Sequence, residues 1–360
     1  MTHNATAHLS NMLRSYTGPQ HRVVGLALSN EQTEYICAGV QQTAADAENL
    51  IFEIGSITKI FTAILLCVLV EEGRIDPKAP LHDLSEKLSA VPAWITPEKL
   101  TSHTSGLPRL HVPTWKTLIK PLPEDPYAQF TRQDLMAWLQ IWSRSAKQPK
   151  QDYVYSNLGV GLLGEAMALR EGKSVVDLLT EKVIHPLGLT DTTATLDDTQ
   201  KPRFAAPRNT KGQAVMPWTF KAMAAAGCLR SSARDLAVFS RRVIQALNAP
   251  KTTLDRAICR STQPIIGLGP GRRLEPMAQC AGWMSIKLKK TAPHFLYHDG
   301  GTAGSTCALY ICPKKDAALA ILSNNGVVAN LYASTKLSWS NQLRQAHDHF
   351  ETLPANQKLR

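Results

Sequence analysis

Short apolar runs bounded by turn-forming residues lie near both ends of the chain. Near the N-terminus, Thr6–Tyr16 predicts a helix, and Arg22–Leu28 and Glu34–Gly39 predict two strands separated by a turn. The apolar run Ile51–Ile54 predicts a third strand. Near the C-terminus, the predicted elements are four strands and a final helix: Trp283–Leu288, His294–His298, Ser305–Ile311, Ala317–Leu322 and Val327–Ala346.

A long apolar helix is predicted directly after the third strand. Gly55 precedes it, and Gly73 is the residue at which we expect it to stop. From about residue 76 to residue 279 the sequence changes to helical patches, many prolines and long irregular links. We therefore predict one sheet lobe, formed by residues 1–75 and 280–360, and an inserted, mostly helical lobe of residues 76–279.

Charge and composition are those of an ordinary globular protein. The net charge of +11 is spread along the sequence, and the tightest basic groupings are the segment 287–290 (KLKK) and pairs such as Arg241-Arg242. Aromatic residues are not interleaved with these groups, as they would be in a nucleic-acid-binding stripe. We predict a solvated basic surface and no nucleic-acid partner.

The cysteines and the N-terminal sequence indicate the cellular compartment in which the protein is found. Seven cysteines without a C-x-x-C pair favour free thiols over disulfides or a zinc site. The N-terminus lacks a basic region followed by an apolar segment, and the longest apolar run, Ala63–Val70, is too short to span a bilayer. We predict a cytoplasmic protein without a membrane partner, or a periplasmic or secreted one if a signal segment has been removed.

The sequence contains one Ser-x-x-Lys, formed by Ser56 and Lys59 at the head of the apolar helix. Residues three apart at a helix start face the same way, so the hydroxyl is within reach of an amine that burial can keep neutral. A helix N-terminus also favours developing negative charge. The pair is therefore a candidate nucleophile and base, whereas a capping serine beside a solvated lysine is the alternative reading.

Two further motifs contain polar groups suited to the same chemistry. Tyr155 and Asn157 form the sequence's Tyr-x-Asn; a tyrosine can relay a proton, and an asparagine can bond both a substrate amide and a lysine amine. The third motif is the segment 298–301 (HDGG), in which His298 and Asp299 precede Gly300 and Gly301. Glycines at a strand end let a ligand approach closely, and their N–H groups can serve an oxyanion hole.

Several segments in this order resemble one known family. They are FEIGSITK (52–59), LTSHTSGLP (100–108), YSN (155–157) with LLG (162–164), PLGLTDT (186–192), AAGCLRSSARDL (225–236) and HDGG (298–301). Together they are similar to the serine β-lactamase and penicillin-binding-protein superfamily, in its class C β-lactamase-like branch, which includes family VIII esterases, D-amino-acid peptidases and related acyltransferases. The resemblance implies an α+β, two-lobe fold, with an antiparallel sheet flanked by helices and an active site in the cleft between the lobes.

The resemblance also implies a role for each motif residue. Ser56 would attack the carbonyl and become acylated, while Lys59 and Tyr155 would share the base and acid duties. Which of these two takes the first proton stays open. Asn157 would position both the substrate and the lysine, and the backbone N–H groups of Ser56 and Gly301 would form the oxyanion hole. The resemblance implies no metal and no organic cofactor.

Two residues depart from the pattern of typical β-lactamases. A lysine and a threonine or serine, which bind the substrate carboxylate, are replaced here by His298 and Asp299. An ionised Asp299 would repel such a carboxylate, and a histidine at the first position is common in esterase-like relatives. A neighbouring arginine or lysine that pairs with Asp299 would leave the pocket neutral, and His298 could equally be structural or contact the substrate.

Two other motifs have simpler explanations than the ligand sites they resemble. The segment 159–164 (GVGLLG) fits G-x-G-x-x-G but opens a helix after a loop, so we predict close helix packing and no dinucleotide site. His347 and His349 flank Asp348 near the C-terminus, and we expect a solvated helix end there. His103 and Ser105 are expected to shape a structural loop.

The motifs together predict an SxxK serine hydrolase that acts through an acyl-enzyme on small esters or amides. A carboxylesterase-like enzyme with weak β-lactamase action is the preferred interpretation, and its expected partner is a small ester, amide or β-lactam substrate. Three alternatives stay open: a true class C-like β-lactamase or D-amino-acid peptidase, a biosynthetic acyltransferase, and a non-catalytic binding protein of the same fold. The sequence leaves the oligomeric state open.

Overall fold

The computed structural model describes residues 3–18, 20–30, 32–40, 47–112, 125–150, 153–269, 277–327 and 339–354. A large antiparallel sheet, covered by helices, lies beside a part of the chain that is mostly helical. This arrangement confirms the predicted α+β, two-lobe fold class. Within these ranges, no helix is both long and apolar enough to cross a membrane.

Eight strands form the main sheet, in the order β2-β1-β10-β9-β8-β7-β6-β5. They are β1 (Arg22–Ser29), β2 (Gln32–Gly39), β5 (Ile266–Gly267), β6 (Met277–Gln279), β7 (Met284–Ile286), β8 (Phe295–Gly301), β9 (Thr306–Cys312) and β10 (Ala317–Ser323). Val23 pairs with Ser323, so the first and last strands of the sequence are neighbours inside the sheet. A separate two-stranded sheet consists of β3 (Ile51–Glu53) and β4 (Arg230–Ser232).

Both faces of the central strands are buried, which explains why these strands are apolar runs without a polar face. On one face, Leu319 and Ile321 of β10 pack with helices α1 (His3–Arg14) and α9 (Trp339–Thr352). On the other face, Leu322 belongs to the larger core around helices α2 (Thr58–Glu71) and α7 (Ala233–Asn248). Strands β1 and β10 are buried along almost their whole length.

Helix α2 is the centre of the larger core. Every residue from Thr58 to Leu69 is buried, so the helix shows no polar face, as expected of a helix surrounded by protein. Helix α8 (Thr253–Ser261) packs along it. The chain leaves the helix at Gly73, whose φ of +69° is easily adopted by glycine, and the predicted stop at this residue is confirmed.

The remaining helices belong to the middle of the sequence. They are α3 (Pro97–Thr101), α4 (Arg132–Ser143), α5 (Asn157–Glu171) and α6 (Val175–Leu179). In α5, a Cβ added to Gly161 would lie 2.2 Å from Met223 Sδ, and one added to Gly164 would lie 2.3 Å from Ala225 Cβ. These glycines therefore serve close helix packing, as predicted.

The C-terminal helix differs from its prediction. The predicted span began at Val327, but residues 328–338 lie outside the described part of the chain, and the helix continues to Thr352. We expected a solvated end at His347 and His349, and this was wrong, because both are at most 2 % exposed. Leu343, Ala346 and Phe350 of this helix pack on the sheet, and the His349 ring lies 6.3 Å from that of His8 in helix α1.

The two-lobe boundaries stay a prediction, and several contacts bear on them. Strands β5 and β6 precede residue 280 and yet belong to the main sheet. Helix α7 packs against the sheet strands β1 and β10, and helix α8 packs against α2. These contacts favour a smaller helical lobe, which begins near residue 76 and ends near β4.

Candidate active site

Ser56 lies in a sharp turn between strand β3 and helix α2. Gly55–Ile57 forms a 3₁₀ turn that continues directly into α2, and Gly55 has a φ of +47°, which favours glycine. Ser56 is half-buried, whereas Lys59 is 1 % exposed. Lys59 Nζ lies 2.9 Å from Ser56 Oγ, so the spacing of the two residues in the sequence does bring the side chains into hydrogen-bond contact.

Lys59 is a buried amine with two polar contacts. Besides Ser56 Oγ, its Nζ contacts the Ala226 carbonyl, to which it donates at 2.7 Å. Burial holds the pKa of Lys59 well below its usual value; the charge of Arg109 lowers it further, and Asp299 opposes this. A neutral amine keeps a lone pair, which can accept the proton of the Ser56 hydroxyl.

Tyr155 contacts the same serine from the opposite side. Its hydroxyl donates to Ser56 Oγ at 2.7 Å, and Lys59 Nζ lies 5.1 Å from the centre of its ring. Burial raises the pKa of Tyr155, although the hydrogen bond to Ser56 opposes the shift. The phenol is therefore protonated at neutral pH and suited to pass a proton.

The loop that carries Tyr155 is held by His103. The Ser156 N–H donates to His103 Nδ1 at 3.2 Å, and the Val154 N–H donates to the His103 carbonyl at 2.9 Å. The rings of His103 and Tyr155 lie 4.6 Å apart. Burial holds the pKa of His103 well below its usual value, so its ring is neutral and Nδ1 can accept. His103 therefore shapes a structural loop, as the sequence predicts.

Asn157 forms its side-chain hydrogen bond with a residue other than Lys59, and its role in positioning the lysine stays a prediction. Its Nδ2 donates to the Tyr127 hydroxyl at 2.8 Å. Its Oδ1 is buried and has no hydrogen-bond partner within the described ranges. Lys59 is satisfied by Ser56 and Ala226 instead, because the Ala226 carbonyl occupies a position beside Nζ. Asn157 nevertheless lines the cavity described below.

Strand β8 brings a stretch of glycine backbone against the Ser56 turn. Its pairing with β7 ends at Tyr297, so the edge from His298 to Gly301 is unpaired on that side. A Cβ on Gly300 would lie 1.9 Å from the Ile54 carbonyl oxygen and 3.0 Å from Ser56 N. A Cβ on Gly55 would lie 2.7 Å from Gly301 N. The two backbone segments are thus in direct contact, which only glycine permits.

His298 and Asp299 have different surroundings. His298 is buried, its Nδ1 donates to the Asp299 carbonyl, and its ring centre lies 6.5 Å from that of Tyr155. Burial, together with the charge of Lys59, lowers the pKa of His298 to about 3. This imidazole is therefore neutral at physiological pH.

Asp299 is half-buried, and its carboxylate forms no ion pair within 4.0 Å with any described residue. The predicted alternative, in which an arginine or lysine pairs with it, is therefore not observed among these residues. Burial raises the pKa of Asp299, whereas the charges of Lys59 and Arg109 lower it. The carboxylate contributes its charge to the cavity when it is ionised.

A cavity of about 290 Å³ opens beside Ser56. It is lined by the candidate residues and by groups that the sequence reasoning missed. The lining residues are Ser56, Arg109, Tyr127, Tyr155, Asn157, Trp218, Phe220, Ala226, Gly227, Asp299, Gly300 and Gly301.

The lining residues that the sequence did not indicate are the cation Arg109 and three aromatic residues on one wall of the cavity. Arg109 is exposed and lies over the Tyr155 ring, with 5.6 Å between Cζ and the ring centre. Tyr127 stacks on Phe220 at 4.9 Å and meets Trp218 edge-on at 5.0 Å. Arg109 directly follows the segment 100–108, a signal that could have identified it. The three aromatic residues lie in irregular segments, where the sequence pattern carries no such signal.

The one group of three potential metal ligands among the described residues lies elsewhere, on helix α9. It comprises His347, Asp348 and Glu351. Asp348 is 3.1 Å from His347 Nδ1 and Glu351 is 3.6 Å from Nε2. One ligand atom from each of the three residues lies within 4.8 Å of the other two.

Comparison with known proteins gives the family. The Beta-lactamase family model matches residues 17–334, and the chain belongs to this family, whose members are serine hydrolases. D-alanyl-D-alanine-carboxypeptidase/endopeptidase AmpH of Escherichia coli K12 is 25% identical over 285 residues, which cover 74% of this chain and 69% of that protein. A β-lactamase of Providencia stuartii is 29% identical over 233 residues, 64% of this chain and 56% of that protein.

A solved structure shares the fold. The class C β-lactamase of Rhodobacter sphaeroides superposes with a TM-score of 0.75 at 20% identity, over 96% of this chain and 99% of that chain. Its strands and helices therefore confirm the class C β-lactamase-like fold that the sequence motifs imply.

Proposed function

We propose that this protein hydrolyses small esters or amides through an acyl-enzyme on Ser56, with weak action on β-lactams. The observation that carries the proposal is the position of Ser56 Oγ, 2.9 Å from Lys59 Nζ and 2.7 Å from the Tyr155 hydroxyl. A serine held between a neutral amine and a neutral phenol has a proton acceptor and a proton relay in contact with it.

The directions of the pKa shifts support Lys59 as the proton acceptor and Tyr155 as the proton donor. Lys59 would take the proton of Ser56 as Oγ forms its bond to the substrate carbonyl carbon, because its lowered pKa favours the neutral amine. Tyr155, still a phenol, would pass a proton to the leaving oxygen or nitrogen as its bond to the carbonyl carbon breaks. Water then attacks the ester of Ser56 by the same relay in reverse and releases the acid.

Two further groups would act on the substrate itself. The N–H groups of Ser56 and Gly301 belong to backbone segments in contact, and we assign them to the oxyanion hole. Asn157 lines the cavity, and we assign its side chain to positioning the substrate. His298 is neutral and would be a positioning group beside Tyr155.

Asp299 supports a preference for substrates without a carboxylate. It lines the cavity with Ser56 and has no ion-pair partner among the described residues. An ionised Asp299 raises the energy of a substrate carboxylate placed near Gly300 and Gly301. Neutral esters and amides carry no such penalty.

One observation favours a second function, that of a true β-lactamase or D-amino-acid peptidase. The exposed guanidinium of Arg109 lies in the same cavity, and it can bind a substrate carboxylate in place of the lysine of typical β-lactamases. The names of the relatives point the same way. Arg109 would thus attract an anionic substrate, whereas an ionised Asp299 would repel it.

The compartment remains part of the proposal. Cys67, Cys228, Cys259, Cys280, Cys307 and Cys312 form no disulfide with any described residue, which supports a reducing compartment. We therefore propose a cytoplasmic enzyme that acts on a small-molecule substrate and uses no cofactor.

Intact-protein mass spectrometry tests the function. The protein is incubated separately with a short p-nitrophenyl ester and with a penicillin, with Ser56→Ala as the control. We expect turnover of the ester, little penicillin adduct, and neither turnover nor adduct in the variant. A stable or rapidly hydrolysed penicillin adduct on Ser56 would favour the second function, and activity retained in Ser56→Ala would refute the mechanism. An alcohol or amine that captures the acyl group faster than water would identify an acyltransferase.

A further inference from the structure

A buried carboxylate that the proposed chemistry does not use lies three residues before Ser56. Glu53 ends strand β3 and is 3 % exposed. Its oxygens accept hydrogen bonds from the Trp218 N–H at 2.7 Å and the Thr302 hydroxyl at 2.6 Å, and the Arg230 guanidinium lies 3.8 Å away. Burial raises the pKa of Glu53, and these donors oppose the shift by favouring the ionised form.

Thr302 connects Glu53 to the end of strand β8. It directly follows Gly301, and its oxygen accepts a hydrogen bond from the Gly304 N–H at 3.3 Å, which leaves its hydrogen for Glu53. Along the chain, Ser56 is three residues beyond Glu53. One carboxylate therefore links the two backbone segments whose N–H groups the oxyanion hole needs.

Trp218 connects Glu53 to the wall of the cavity. Its N–H donates to Glu53, and its carbonyl accepts a hydrogen bond from Arg230 at 2.9 Å. Arg230 lies directly opposite Glu53 in the pairing of β3 with β4. The Trp218 ring lines the cavity and packs against Tyr127, the hydrogen-bond partner of Asn157. Glu53 and Arg230 thus bind the backbone N–H and the backbone carbonyl of Trp218.

We propose that Glu53 is a positioning residue for the reaction, which holds the Ser56 and Gly301 N–H groups at their working separation and keeps the Trp218 wall in place. The inference rests on the proposed function, because an oxyanion hole matters only if Ser56 is acylated. Burying an ion pair rarely adds net stability over apolar packing. In contrast, a shift of about 1 Å in a catalytic group can slow a reaction roughly 100-fold.

Thr302→Val is the decisive variant, because it keeps the shape of the side chain and removes only the hydroxyl. Thr192→Val is the matched control. The Thr192 hydroxyl also donates to a buried carboxylate, that of Asp235, at 2.8 Å, and Thr192 does not line the cavity. Both variants lose a buried hydrogen bond of the same kind, so we expect similar decreases in Tm. Glu53→Gln, which keeps the size and removes the charge, is the third variant.

The readouts are kcat and KM for the p-nitrophenyl ester and the infrared carbonyl band of the acyl-enzyme. For Thr302→Val we expect kcat to fall about tenfold or more with KM within about twofold, because the lost stabilisation belongs to the transition state. The carbonyl band should move to higher frequency as its hydrogen bonds lengthen. Glu53→Gln should change both readouts in the same direction, whereas Thr192→Val should change neither.

Two results would overturn the inference, and they are distinguishable. If Thr302→Val and Glu53→Gln lose stability but keep the wild-type kcat and carbonyl band, Glu53 is only structural. If the wild-type protein itself forms no acyl-enzyme on Ser56, the proposed function fails, and the positioning role fails with it. A fall in kcat that is equal in Thr302→Val and Thr192→Val would also count against a specific role.

Discussion

At the scale of single residues, Lys59 is the side chain whose environment opposes its usual charge. It is 1 % exposed and has no carboxylate within 4.0 Å among the described residues; its polar contacts are Ser56 and the Ala226 carbonyl. The unfolded chain keeps the lysine protonated up to about pH 10. Burial lowers the pKa of Lys59 on folding, so the same burial that favours the neutral, proton-accepting amine also reduces the stability of the protein.

This cost predicts how Lys59→Met changes stability with pH. Because the folded pKa is lowered, the wild-type protein should lose stability as pH falls below the unfolded pKa, at roughly 1.4 kcal/mol per pH unit. The methionine variant lacks this contribution. Its free energy of unfolding should therefore increase relative to that of the wild type as pH falls from 10 to 8. Urea unfolding of both proteins at several pH values measures the difference. A difference that does not vary with pH would mean that Lys59 stays protonated in the folded protein.

Asp299 is the residue at which substrate preference can be tested. Asp299→Thr removes the carboxylate from the cavity and leaves the Gly300–Gly301 backbone in place. We expect kcat/KM for penicillin to rise about tenfold, equivalent to roughly 1.4 kcal/mol of repulsion removed, with little change for a neutral ester. An equal change for both substrates would show that Asp299 acts through the shape of the cavity and not through its charge.

At the scale of elements, the site depends on how closely strand β8 meets the turn after β3. Gly300→Ala would place a Cβ 1.9 Å from the Ile54 carbonyl oxygen, a backbone atom that cannot move away without displacing Ser56. We expect kcat for the ester to fall at least 100-fold, as it does when an oxyanion-hole donor is lost.

Gly188→Ala is a suitable control for that substitution. Gly188 has a φ of +75°, and nothing would lie within 4 Å of an added Cβ. Its replacement should lower the free energy of unfolding by about 1 kcal/mol through backbone strain alone and leave kcat unchanged. If Gly300→Ala keeps the wild-type kcat, β8 is not held against the Ser56 turn as described.

The motif segments were predictable from the sequence because each is local. The spacing of Ser56 and Lys59 specifies a contact between residues three positions apart. The Lys59 contact to Ala226 was not predictable, since it joins residues that are 167 positions apart. The contact of Asn157 with Tyr127, 30 positions away, was not predictable for the same reason.

At the scale of the whole molecule, the sheet is completed by the two ends of the sequence. Strand β10 pairs with β1 along seven residues, from Ser323 with Val23 to Ala317 with Ser29. Helix α1 then covers the same strands, with Leu9 and Leu13 close to Gly25. The described residues among the N-terminal 40 thus contribute no lining residue to the cavity, yet they complete the core.

Removal of residues 1–40 should therefore abolish folding without touching the site. We expect the shortened chain to show no cooperative thermal transition by circular dichroism, because β10 would expose an apolar edge. A synthetic peptide of residues 1–40 should restore a transition when added in excess. A shortened chain that unfolds cooperatively and hydrolyses the ester would contradict this dependence.

The sequence by itself determined the elements and the reacting groups: the apolar runs of the sheet, the helix that starts at Ser56, and the order of the three motifs. These follow from periodicity and spacing, which act over a few residues. Only the tertiary structure decided that His347 and His349 are buried, that the Ala226 carbonyl holds Lys59, and that Arg109, Tyr127 and Trp218 line the cavity. Such contacts depend on how distant segments pack, and packing is set by the shape of the whole core rather than by any local pattern.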